Sequence, residues 1–190
     1  VYATPLPVSS KTLIKASVLV NGQPYGLTQK LIFLHKGIGN LAKLNSTYSS
    51  YNPAYAAGGD MALLDGIKGS NNFADGRWQG YQGQDLDIEI DLKKVMPVHS
   101  ISLDCMQNSY SWIVLPANVS VFSSADGKNF TLLKSIGHTI PMDAKGQFTH
   151  TFMANFDTLN TRYLKVVAKS TGLIPAWHHA AGGESCCFAD

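Results

Sequence analysis

The sequence has little charge. Its 190 residues include 15 Lys or Arg and 13 Asp or Glu, a formal net charge of +2. No basic cluster stands out, so the electrostatic footprint of a nucleic-acid or anionic-membrane binder is missing. Apolar residues make up 45%, far from the composition of a disordered chain. Cysteine is scarce and odd in number: Cys105, Cys186 and Cys187. Two neighbours and a distant third give neither a disulfide framework nor the CxxC spacing of a zinc site. They read as small buried apolar residues. No apolar run is long enough to span a bilayer. GxSxG, HExxH and P-loop motifs are absent, as is any convincing 3.6-residue apolar repeat. There is no initial Met and no signal peptide. "VYATPLPVSS" therefore reads as the interior of a longer protein.

What remains is β pattern. "KTLIKASVLVNGQPYGLTQKLIFLHK" gives two strands around Asn21-Gly22, a pair that tolerates positive φ. A turn-rich stretch follows, and a domain boundary is expected at residues 36–40. "LAKLNS" suits a short strand, and "NPAYAAGGDMALL" has room for one short helical turn. "DLDIEIDL" alternates acid and aliphatic strictly, and "VHSISLDCMQ" alternates again. "NVSVFSSADGKNFTLLKSI" is a hairpin with Asp126-Gly127 in its connection, "QFTHTF" and "RYLKVVAK" are two more strands, and "ESCCFAD" is a last short one. Many short strands at regular spacing predict a β-sandwich.

Three blocks carry a resemblance: "ALLDGIKGSNNFADGRWQGYQGQDLDIEIDL", "QNSYSWIVLPANVSVFSSADGKNF" and "RYLKVVAKSTGLIPAWHHAAGGESCCFAD". In this order they resemble the discoidin-like, or coagulation factor 5/8 type C, domain at the C-terminus of bacterial family 20 glycoside hydrolases. The leading segment is similar to the later half of the small immunoglobulin-like module that precedes it in chitobiases. The resemblance implies an all-β, galactose-binding-like jelly-roll sandwich over 38–190, preceded by a partial immunoglobulin-like β unit over 1–37. It also implies a bacterial parent hydrolase, a chitobiase or β-N-acetylhexosaminidase, that is periplasmic, on the outer cell surface or secreted. The catalytic Asp-Glu pair of that enzyme family sits in a barrel that is not in this sequence, so no enzymatic activity is expected of the chain itself. The expected role is a non-catalytic carbohydrate-binding accessory domain recognising terminal galactose or N-acetylhexosamine. Its partners would be a glycan and, within the parent, the catalytic domain; neither nucleic acid nor membrane insertion is expected. The same fold also serves as a spacer that packs on the catalytic barrel without binding sugar.

Candidate site residues follow from chemistry and from that resemblance. Sugars present flat C–H faces ringed by hydroxyls, which aromatic rings and polar side chains read together. Tyr81, Tyr110 and Trp177 supply rings in predicted loops, and Arg77 and His178 supply polar partners, with Gln79 and Asn108 nearby. Trp78 has a second reading, packing beneath the loops, and Trp112 before "IVLP" reads as core. The His178-His179 pair is not expected to bind a transition metal, because adjacent residues seldom aim at one ion. By resemblance, Asp65 and Asp75 would hold a structural Ca²⁺ with carbonyls from about Ile67 to Asn72. Without it, both aspartates close Asx-turns on their own backbone. The family's pattern continues with a glutamate after the final "F-D", a position this sequence does not reach.

Overall fold

The computed structural model describes residues 12–33, 40–49 and 52–190. The chain divides into two compact units, Val1–Gly37 and Ile38–Asp190. Most of the expected 36–40 boundary lies outside the described residues, as do the last two residues of the second expected strand, Leu34 and His35.

In the first unit β1 (Thr12–Val20) pairs antiparallel with β2 (Gln23–Phe33). Asn21 (φ 50°) and Gly22 (φ 77°) both take left-handed backbone, as a two-residue hairpin turn of this twist requires.

The second unit holds β3 (Asn40–Leu44), β4 (Gln79–Gln82), β5 (Leu86–Asn108), β6 (Asn118–Ser124), β7 (Thr131–Gly137), β8 (Gln147–Lys169) and β9 (Cys186–Ala189). Hydrogen bonding runs β4-β9-β5-β8-β6-β7, with β3 on the first half of β5. No α-helix occurs among the described residues; the turn-prone stretch instead forms two short 3-10 turns, Pro53–Tyr55 and Ala62–Leu64. The architecture is the expected all-β jelly-roll sandwich.

Two pairs of expected strands turn out to be two long ones. β5 and β8 have 23 residues each. Their ladder breaks between Asp91/Met96 and Val98/Ser100. Lys93 there takes φ 70°, and such a bulge bends the strand without ending it. Each strand therefore serves both layers. Leu86, Ile88, Ile90 and Leu92 from the first half of β5 share one buried cluster with Leu103 and Cys105 from its second half. Phe152 and Val166, from the two halves of β8, line one small core gap with Leu103, Val119 and Val121. Each large apolar side chain buried here contributes on the order of 2 kcal/mol, so this cluster holds the layers together.

The acidic alternation of β5 is structural. Asp85 pairs with Lys169 and Asp87 with Lys165, both at 2.8 Å. Asn45 donates to Asp87 (2.9 Å) and Glu89 (3.0 Å). Arg162 grips Asp91 with two bonds, 2.9 and 3.0 Å, and this fork above all holds the Asp91 carboxyl down at about 2. The outward face is thus a ladder of cross-strand ion pairs.

Candidate functional site

The glycine-rich loop before β4 is built around a buried tryptophan. Trp78 has no exposed surface, and its indole N–H donates to the Ser70 carbonyl at 2.9 Å. It joins Met106, Ile113, Cys186 and Phe188 in a satellite core. The indole lies so close to Gly69 that a Cβ there would sit 2.2 Å from the ring. Packing beneath the loop is therefore the role of Trp78.

The loop's aspartates turn to the backbone. Asp65 Oδ1 accepts from the Ile67 amide at 2.6 Å. Asp75 accepts from Ser70 N (2.8 Å) and Arg77 N (2.9 Å). Burial opposes ionisation of Asp75, but these contacts and the Arg77 charge hold its carboxyl below the usual range. The Lys68 carbonyl accepts from the Arg77 guanidinium at 3.4 Å. Among the described residues no three His, Cys, Asp or Glu side chains converge as a metal site. Asp65 Oδ1 and both Asp75 carboxylate oxygens thus accept from the loop's own amides, which is the Asx-turn arrangement.

Tyr81 requires a correction. It lies in β4, not in a loop, and is fully buried in the main core. Its hydroxyl donates to Gln79 Oε1 at 2.6 Å, and burial pushes its pKa well up. A ring with no exposed surface cannot stack on a sugar. Arg77 is exposed, but it stays with the glycine-rich loop.

Three other expected residues do meet. Tyr110, Trp177 and His178 line one open groove of about 750 Å³ at an end of the sandwich, with Asn108, Asp143, Lys145, Gln147 and His179 among its other walls. Tyr110 is 80% exposed and Trp177 54%. β5 delivers the first wall: Asn108 and Ile113 exchange backbone hydrogen bonds across the 109–112 turn, and Asn108 Nδ2 donates to Gln147 Oε1 at 2.8 Å. The loop before β8 brings Asp143 and Lys145, and residues 175–183 bring Trp177 and the two histidines.

His178 is a strut of this groove. It is buried, and its Nε2 meets the Ser109 carbonyl at 2.6 Å while the Ala180 amide donates to Nδ1 at 3.0 Å. With Nδ1 accepting from the Ala180 amide, Nε2 is the donor to the Ser109 carbonyl, and both nitrogens are engaged. The histidine ties the 175–183 loop to the turn after β5. Asp143, Lys145, Gln147 and His179 were missed in the sequence reading. The loop segment "PMDAKGQ" between two strands was the available signal, because a polar turn there must lie beside the turn that ends β5.

Fold and groove together define a class: an antiparallel sandwich with rings and polar groups presented by loops at one end. The F5/8 type C domain model matches residues 45–186, and the chain belongs to that family. No curated relative matches it. Solved structures similar to it include the family 32 carbohydrate-binding module of EndoD from Streptococcus pneumoniae (10% identity, TM-score 0.47, covering 80% of this chain and 93% of that one). The C-terminal domain of a chitobiase from Bacteroides fragilis is similar as well (13%, TM-score 0.43, 80% and 93%). So is a Clostridium perfringens module, CpGH89CBM32-5, solved with GalNAc-β-1,3-galactose (12%, TM-score 0.42, 80% and 94%). No helix of the described residues is long and apolar enough to cross a membrane.

Proposed function

We propose that the Ile38–Asp190 unit is a non-catalytic carbohydrate-binding accessory module. Its groove takes glycans carrying terminal galactose or N-acetylhexosamine, and it holds a parent hydrolase, of the family 20 chitobiase type, near such glycans outside the cytoplasm. In this reading the first unit is part of an immunoglobulin-like module of the chitobiase type that precedes the sandwich. Weak binding at one site gains from tethering, because linkage raises effective concentration.

One observation carries the reading: Tyr110 and Trp177 stand exposed over an open groove that also holds Asp143, Lys145 and Gln147. A spacer packed on its barrel has no need of exposed rings flanked by hydrogen-bonding side chains. Rings offer the flat face that a pyranose stacks on, and the charged and amide groups suit its hydroxyls. A glycan array probed with the 190-residue chain tests this. Binding to galactose- or N-acetylhexosamine-terminated glycans, lost in Trp177→Ala, is expected; silence across the array leaves the spacer role.

A further inference from the structure

Resting on the glycan-binding reading, we infer that His179, and not His178, is the imidazole that bonds a ligand's hydroxyl, that Trp112 is its positioning residue, and that the ligand has at least two sugar rings.

The two histidines differ in what their nitrogens do. Those of His178 are both bonded inside the protein. His179 is exposed, and its ring nitrogens have no hydrogen bond among the described residues. The rings lie 4.1 Å apart, so His178 acts as the floor on which His179 rests. Tyr110 lies 5.3 Å from His179, and Trp112 meets it edge-on at 6.2 Å. An imidazole held between rings with both nitrogens open is pre-organised to bond hydroxyls, and pre-organisation lowers the entropic cost of binding.

Trp112 is not the core residue its place before "IVLP" suggests. It is 42% exposed and takes left-handed backbone, φ 48° and ψ 23°. That conformation is unfavourable for a bulky side chain, and such outliers cluster at functional sites. The surroundings impose it: the Trp112 amide donates to Ser109 O at 3.1 Å, and its carbonyl accepts from Cys186 N at 3.0 Å. A glycine would serve this turn better, yet the position carries a large ring set against His179. The groove itself, about 750 Å³, is in the size range that takes a ligand of several rings. One sugar on Trp177 leaves the side of Tyr110 and His179 for the next.

The test compares disaccharides with monosaccharides by calorimetric titration. The probes are N-acetyllactosamine, N,N′-diacetylchitobiose, galactose and N-acetylglucosamine, with the 190-residue chain and its variants. At least one disaccharide should bind about ten-fold tighter than its monosaccharides. His179→Ala and Trp112→Gly should lose most of that margin. Trp112→Phe should restore it, which a merely structural role would not require. Trp112→Gly suits the left-handed backbone, so its melting temperature should not fall, and lost binding cannot then be ascribed to misfolding. Should Trp177→Ala abolish binding while the His179 and Trp112 variants bind like wild type, the inference is overturned and the glycan-binding reading stands. Failure of the unaltered chain to bind any of the four sugars overturns the inference, and silence across the glycan array overturns the broader reading.

Discussion

The glycine-rich loop of residues 63–83 and the groove at residues 108–112 and 175–183 draw on the same residue types: Trp, Tyr, Asn and Gly. They end in opposite states. In the loop and in β4, which closes it, Trp78 and Tyr81 are fully buried, and the hydrogen-bonding atoms of both rings bond inside the domain. At the groove, Tyr110 and Trp177 stand in solvent, and the ring nitrogens of His179 have no hydrogen bond among the described residues. Residue type says little about binding; what matters is whether the polar atoms beside each ring have been satisfied inside the protein. The loop is satisfied within the domain, whereas the groove retains unused hydrogen-bonding capacity, the feature on which the proposed glycan binding rests.

The sharpest way to break this comparison is Gly69→Ala. The new Cβ would overlap the Trp78 ring at 2.2–2.6 Å, and Trp78 is hemmed in by its satellite core. A loss of about 3 kcal/mol is expected, as for a badly overpacked core, and a urea melt reads it. An unchanged midpoint would mean that the loop is softer than described. Next in size is Trp177→Ala, expected to weaken glycan binding at least about ten-fold, the equivalent of roughly 1.4 kcal/mol, with no change in the same melt. A fall in stability there would erase the contrast between the two regions.

A smaller effect separates turn closure from metal binding. Asp75→Ala removes the acceptor of two amides and should cost about 1 kcal/mol. Thermal melting with and without EDTA separates the two: coinciding curves are expected if the Asx-turns alone close the loop, and a drop in melting temperature on chelation if Asp65 and Asp75 hold a calcium ion.

The smallest effect is a pH dependence. Burial pushes the Asp190 carboxyl up to about 6, with Asp104 and Asp65 adding to the rise against the Gly69 amide, which it accepts. A carboxyl raised in the folded state favours folding when protonated, so this contribution is fully present near pH 4 and is lost as pH rises through 6. Asp91 works in the other direction and loses its contribution only as pH falls below about 4 towards 2. Melting temperature should therefore climb modestly from pH 7 to about 5 and fall again under stronger acid, and Asp190→Asn should flatten the first part.

Much of the fold was legible because strand periodicity is local. The alternation in "DLDIEIDL", the Asn21-Gly22 turn and the Asp126-Gly127 connection all appear where the pattern places them. The merging of four expected strands into β5 and β8 was not legible, because a bulge at Lys93 keeps pairing alive across residues that lack alternation. The site was legible in part. Tyr110, Trp177 and His178 were found by being ring or imidazole residues in loops, and they do meet. Tyr81 failed because its neighbours in sequence look like loop while its hydrogen bonds to β9 make it strand. Trp112 failed in reverse: a hydrophobic flank suggested burial, and a left-handed turn, set by contacts distant in sequence, swung the ring outwards.

The continuity of β5 and β8 has a consequence for how the groove works. Their ladder runs from Leu86↔Ala168 at one end to Asn108↔Gln147 at the other, and that last pair is itself a wall of the groove. The two layers share these strands, so neither can slide or swing against the other without tearing the ladder. On the glycan-binding reading, the Asn108–Gln147 wall is then a fixed side of the groove rather than one half of a jaw. Recognition should follow lock-and-key kinetics, with a single-step approach to equilibrium and a rate linear in ligand concentration.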